Sequence, residues 1–302
     1  MLMRWLLQHA TDRLGFFLAG ALGMTLIAAI AGAAGAGPLD PDDPPASTDS
    51  VRLPGTPITS LPYTITAPGH YYLTRNLAAA GTNGITLSAR DVSIDLGGFT
   101  MSGTEDTFTV GVISTLTGST RYRIYNGTIR DFQYGILLAS TSHNDISDIT
   151  VTSNTFTGVG LGANSTISDC MITKNARGIS LDGSLTTVRG CVVSQNGIVG
   201  IQTDLFESQL IERTAVYANN QLQDPFGGGM MLRAANIVVR ESEILNNAGR
   251  DVNVENANNI FLDNVVTSTC SIQPQPPGAT NTYAPMNTAD PHTNRSHLSI
   301  CV

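Results

Sequence analysis

Charge is scarce in this chain, and lysine is nearly missing. Charged residues make up 13% of 302 positions, and Lys174 is the one lysine. With a formal net charge of −8, such a surface repels nucleic-acid phosphates and anionic membranes alike. The single tryptophan, Trp5, lies in the N-terminal apolar segment, which removes the strongest cue for a deep sugar cleft. His70 and His143 stand alone in turns, and His292 and His297 fall in an irregular tail, so no histidine set has metal-ligand spacing. No Gly-rich phosphate loop and no Ser/His/Asp order is present. Cofactor-free function is the expectation, and nucleic-acid partners are excluded.

What the chain has instead is a repeat. Gly158-Val-Gly-Leu and Gly178-Ile-Ser-Leu open two versions of one unit, and the same frame recurs at Gly84, Gly111, Gly135, Gly200, Gly229 and Asp251, in steps of 20 to 29 residues. Self-similarity at that period marks a solenoid. After most openings two inward apolar positions flank an outward one, as in Ile179 and Leu181; Ser114 and Thr203 break the rule. A second apolar column runs Ile124, Ile146, Ile167, Val188, Ile211, Val239 and Phe261, and a third runs Ile129, Val151, Ile172, Val193, Val216, Ile244 and Val266. Three short alternating strands in some 22 residues are too little chain for a βαβ unit, which needs about 30. They suit one coil of a parallel β-helix. Eight such coils, rising about 4.8 Å each, predict an all-β domain roughly 40 Å long.

Polar columns carry the same register. Asn154, Asn175, Asn196, Asn219 and Asn247 recur at the end of the third strand, where a corner favours Asn and stacked amides can bond one another. A structural ladder is the expectation. Cys170 and Cys191 hold equivalent inward places in adjacent coils, with parallel side-chain vectors unsuited to a disulfide, and are expected to be buried thiols. Cys270 and Cys301 bracket the tail and are the better disulfide candidates.

Residues 1–36 read as a signal peptide: Arg4 and Arg13 precede an apolar run that ends in Ala34-Gly35-Ala36. The run is also long enough to serve as a retained anchor. Residues 37–56, rich in Pro and Asp, form an expected disordered linker. The repeat domain spans 57–269, with 57–83 as an N-terminal cap or first coil, and 270–302 reads as a C-terminal cap or tail. The expectation is a secreted, periplasmic or cell-surface monomer with no membrane contact after cleavage.

The coils of form G-[IV]-x-L…I-x-x-[CN]-x-I-x-x-N, with the opening LPYTITAPGHYYLTRNL…VSIDLGGFTMSG, make residues 57–269 resemble the right-handed parallel β-helix, or pectin-lyase-like, superfamily of secreted bacterial proteins. The resemblance implies a right-handed solenoid whose ligand is a polysaccharide or cell-surface glycan lying along the outer face of the G-I-x-L strand. It is specific for fold and weak for function. The superfamily's glycoside hydrolases place aspartates just before that strand; here those places hold Asn83, Val110, Tyr134, Thr157, Arg177, Val199, Gly228 and Arg250, with no carboxylate. Its lyases use Arg or Lys as base, often beside carboxylate-held calcium, the one cofactor the resemblance admits.

The residues just after the strand run Asp182, Asp204, Arg233 and Glu255 in the last four coils. They are expected to form one edge of a shallow groove floored by Ser180, Gln202, Met231 and Asn253. Arg177, Arg250 and the Asp224-Pro225-Phe226 insertion form the other edge. The competing expectation is a solvated row of alternating charge, worth little energetically. Two functions follow: a non-catalytic extracellular polysaccharide-binding or structural module, favoured because catalytic signatures are missing, and a divergent lyase acting on uronate polymers.

Overall fold

The structure, a computed structural model, describes residues 55–104, 108–266, 270–272 and 281–283. The expected signal peptide, most of the linker and Cys301 lie outside these residues. Every regular element among the described residues is a β-strand. Ten strands stack in parallel into one sheet: Tyr63–Ile65, Ile85–Leu87, Val110–Ser114, Tyr134–Leu138, Thr157–Leu161, Arg177–Leu181, Val199–Thr203, Gly228–Leu232, Arg250–Val254 and Cys270–Ile272. An eighteen-stranded parallel sheet supplies the other two faces of each coil. The register is that of a solenoid, each residue opposite its equivalent one coil on, as in Ile179↔Ile201↔Met230↔Val252.

The apolar columns fill the interior. Ile136, Val159, Ile179, Ile201, Ile211, Val216 and Val252 are all fully buried. Each such side chain contributes about 1.5–3 kcal/mol of transfer free energy relative to exposure. The two breaks in the apolar rule have local causes. Thr203 points inward, and its hydroxyl accepts the Arg233 and Ala234 N–H groups at 2.8 and 3.3 Å. Ser114 shares a hydrogen bond of 2.9 Å with the Tyr122 hydroxyl.

The corners are polar ladders. Asn154 Nδ2 donates to Asn175 Oδ1 at 2.8 Å, Asn175 to Asn196 at 3.2 Å, Asn196 to Asn219 at 2.8 Å and Asn219 to Asn247 at 2.9 Å. Each Oδ1 also takes the backbone N–H of the preceding ladder residue, as in Asn175 N–H to Asn196 Oδ1 at 3.0 Å. The ladder ends on the buried Asp251, which accepts Asn247 Nδ2–H at 2.8 Å and the Asn247 backbone N–H at 3.0 Å. These amides explain the repeat's opening glycine. A Cβ on Gly200 would meet Asn219 Nδ2 at 2.8 Å and the Gly229 carbonyl at 2.7 Å. Ladder and glycine are one device.

Two features extend the repeat beyond the eight coils expected. Tyr63–Ile65 pairs with Ile85–Leu87 as a full strand of the ten-stranded sheet. Past residue 269, Cys270–Ile272 pairs with Val252–Val254, and Thr282–Tyr283 with Ile260 and Phe261. Cys-Ser-Ile keeps the alternation, but the prolines that follow it mask the period in the sequence.

Cys170 and Cys191 are buried free thiols. Cys170 Sγ donates to the Ser168 carbonyl at 3.1 Å and Cys191 Sγ to the Arg189 carbonyl at 3.3 Å. The hydrogen bond with Cys191, aided by burial, holds the Cys170 thiol far above its ordinary pKa. Cys191 is shifted the other way by the same bond, so burial is what shields both: iodoacetamide is expected to leave both cysteines unmodified in the native protein and to label both after unfolding in guanidinium. A Cys170–Cys191 crosslinked peptide in a non-reducing map would contradict this. The Cys270–Cys301 pairing lies outside the residues whose side chains are described.

Candidate functional site

Parallel strands put all their starts on one edge of the ten-stranded face and all their ends on the other. The two long turns of the coil between Gly200 and Gly229 therefore fall on opposite edges. Residues 204–209 follow the end of Val199–Thr203, and residues 220–227 precede the start of Gly228–Leu232. Between them the outward row runs Gly160, Ser180, Gln202, Met231 and Asn253 in register.

The exit edge stacks as the sequence spacing implies. Asp182 N–H bonds the Leu161 carbonyl at 2.7 Å, Asp204 N–H the Leu181 carbonyl at 3.1 Å and Glu255 N–H the Leu232 carbonyl at 2.8 Å. Asp182 is half-buried, and its Oδ1 accepts the Ser180 hydroxyl at 3.0 Å. Burial pushes its pKa up to about 6, with the Asp204 charge adding to the rise and the Ser180 bond opposing it. Arg233 faces Glu255 at 3.5 Å, and Glu255 Oε1 accepts Asn253 Nδ2–H at 3.1 Å. That trio closes the far end of the groove. Asn253 and Met231, expected as open floor, are each only 4% exposed. The open floor is thus shorter than the spacing implied, and centres on Ser180 and Gln202.

The entry edge is a preformed loop. Asn220 Oδ1 accepts the Asp224 N–H at 2.7 Å, and its Nδ2 donates to the Asp224 and Ala248 carbonyls at 3.0 Å each. Asp224 Oδ1 in turn accepts the Phe226 N–H at 2.8 Å. Asp224 is thereby occupied in shaping the turn, and Phe226 is left 68% exposed. Arg177 and Arg250, expected on this edge together, are separated by Val199 and Gly228 in the register. Three strand spacings are about 14 Å, so the two guanidiniums act apart.

Three features escaped the sequence. Leu205 and Phe206 in the opposite insertion are 66% and 45% exposed, so both walls of the groove carry bare apolar groups. An aromatic row also runs along the entry edge. Phe108 and Tyr134 have ring centroids 6.1 Å apart, Tyr134 and Phe156 5.0 Å apart, and the Arg177 guanidinium lies 4.6 Å from the Phe156 ring. These residues sit one to three places before the opening glycine, so no fixed-offset column collects them. Finally, Glu212, buried on another face, accepts Arg240 Nε–H at 2.8 Å, which holds its carboxyl below the usual range. This pair is structural. Among the described residues no three His, Cys, Asp or Glu side chains group as metal ligands.

Solved structures of similar fold include the alginate lyase of Paenibacillus sp. strain FPU-7, at 11% identity and TM-score 0.46, covering 73% of this chain and 96% of that one. The A-module of a mannuronan C-5 epimerase from Azotobacter vinelandii matches at 13% identity and TM-score 0.49, covering 74% and 85%. The enzymatically active domain of tailspike protein 2 from bacteriophage CBA120 matches at 14% identity and TM-score 0.45, covering 72% and 42%. At such identities and TM-scores they are likenesses only and carry no argument about this chain. A search of the curated proteins found no match. A profile of the family described as "Right handed beta helix region" matches residues 111–273, more than half of the sequence. The chain belongs to that right-handed β-helix family.

Proposed function

We propose that this protein is a non-catalytic binder of an extracellular polysaccharide, and that one stretch of the glycan lies across the ten-stranded face between residues 204–209 and 220–227. The observation that carries this reading is the pairing of walls and floor. Two insertions in a single coil raise Phe206 and Phe226 on opposite edges of a polar floor made by Ser180, Gln202 and the Asp182 carboxyl. Exposed aromatics supply flat apolar contact, and hydroxyl, amide and carboxyl groups read sugar hydroxyls. The entry loop is held by its own hydrogen bonds, so little ordering cost attends binding. Export through the N-terminal segment and action at the cell surface belong to the same proposal.

A divergent uronate lyase is the second reading, favoured by one observation, the Asp182 carboxyl that titrates near 6. Against it, the Arg233 guanidinium is already engaged by Glu255 at 3.5 Å, at the closed end of the groove rather than over its open floor. Incubation with a panel of uronate polymers separates the two. Binding without new absorbance from unsaturated product is expected; product formation lost in Asp182→Asn would establish the lyase instead. Among groove variants, Phe226→Ala and Asp204→Ala are each expected to weaken polymer binding about 5- to 50-fold, as for loss of 1–2.3 kcal/mol at a contact centre. Their melting temperatures should stay near the parent's. Unchanged affinity in both variants for every polymer bound by the parent would reduce the groove to ordinary solvated surface.

A further inference from the structure

The row Phe108, Tyr134, Phe156 and Arg177 crosses four successive coils on the same edge as the entry loop. Leu222 of that loop continues it, since its N–H bonds the Gly197 carbonyl at 2.8 Å. Aromatic rows inside a solenoid are ordinary packing. This one is not inside: Phe108 is 52% exposed, and Tyr134, Phe156 and Arg177 are only half-buried. Beside it lies a shallow depression of about 450 Å³, lined by Ser153, Thr155, Lys174, Ala176, Gln195 and Leu222. Thr155 and Ala176 immediately precede Phe156 and Arg177 in the chain, so depression and row share a wall.

Arg121, Arg123, Arg130, Arg213, Arg233 and Arg240 all form ion pairs with carboxylates. Lys174 and Arg177 form none among the described residues, nor do Arg75, Arg90, Arg189 and Arg250, but only Lys174 and Arg177 lie beside the aromatic row and the depression. Stacking on Phe156 fixes the plane of the Arg177 guanidinium and leaves its N–H fork unspent. A planar donor fork beside a bare aromatic edge matches a pyranose ring that carries a carboxylate. In a chain of net charge −8, two unpaired cations on one turn form a local attractive site within a repelling surface.

We propose that this edge is a second saccharide site, selective for acidic sugars: the aromatic row takes the apolar faces of consecutive rings, and Arg177 with Lys174 takes a ring carboxylate. The site rests on the glycan-binding reading and extends the groove along the same edge.

Affinity electrophoresis in native gels containing polygalacturonate or a neutral β-glucan tests it. The comparison uses the parent, Arg177→Gln, Lys174→Gln and the groove variant Phe226→Ala. Arg177→Gln is expected to raise the dissociation constant for polygalacturonate about 10-fold and for the neutral polymer less than 2-fold, and Lys174→Gln to act the same way at about 3-fold. Lys174 is exposed, so its variant keeps the test informative if Arg177→Gln does not fold. Phe226→Ala weakens whichever polymer occupies the groove. If Phe226→Ala weakens binding while both cation variants bind polygalacturonate like the parent, the second site is overturned and the groove stands. Equal losses for both polymers, or a parent that binds only the neutral one, overturn acidic selectivity. A parent retarded by neither polymer in this assay overturns the second site, and a failure across the wider panel overturns the glycan reading as well.

Discussion

Replacing Asn196 with alanine is expected to lower the unfolding free energy by about 3–5 kcal/mol. The side chain occupies the middle of the ladder, where it accepts from Asn175 N–H and Nδ2–H and donates to Asn219 Oδ1 and to the Ile172 carbonyl at 3.2 Å. The site is fully buried, so no water replaces these partners. Each orphaned buried group costs roughly 1–3 kcal/mol, and the losses overlap because the groups are shared. Asn196→Asp is instructive beside it: the carboxylate keeps the acceptor role, as Asp251 does at the ladder's end, but loses the donor to Asn219 and Ile172. Denaturant unfolding of parent and variants measures this. A change below 1 kcal/mol in Asn196→Ala would mean that the apolar columns alone hold the coils together.

A second large effect concerns Asp182 and pH. Its folded pKa of about 6 lies above the ordinary 3.8, so the native state favours the protonated form. The associated stability is fully present below about pH 4 and is lost as pH rises through 6. A shift of that size corresponds to a penalty on the order of 1–3 kcal/mol at neutral pH, reduced by the water that reaches a half-buried group. Asp182→Asn should therefore match the parent near pH 4 and exceed it in stability by about 1–2 kcal/mol at pH 7.5. Melting curves across that range decide it; identical curves at pH 7.5 would show that burial of the carboxylate costs nothing. The same cost bears on function, because a ligand hydroxyl donating to this carboxylate would relieve part of it.

The fold was legible in the sequence because a solenoid writes its cross-section repeatedly. Gly158, Gly178 and Gly200, the apolar pairs after them and the asparagine column all report one geometry, in which each glycine makes room for an amide of the ladder. The exceptions were legible only as exceptions. Thr203 reads as a fault in the apolar pattern until its hydroxyl is seen to satisfy Arg233 N–H across the insertion. The groove was legible in its backbone and less so in its surface. Stacking of Asp182 on Asp204 follows from spacing, whereas burial of Met231 and Asn253 depends on side chains around them that no period encodes. The aromatic row was hidden for another reason: turns of unequal length shift Phe108 and Phe156 off the column that holds Tyr134 and Arg177, and only three-dimensional proximity restores it.

Hydrogen–deuterium exchange with and without a bound oligosaccharide tests the central claim, glycan binding across the ten-stranded face, most directly. The sheet amides are already protected by coil-to-coil bonds, so added slowing should appear in residues 204–209 and 220–227 and leave the distant faces unchanged. Slowing confined to the other two faces, with both insertions exchanging as in the free protein under saturating ligand, would contradict the account.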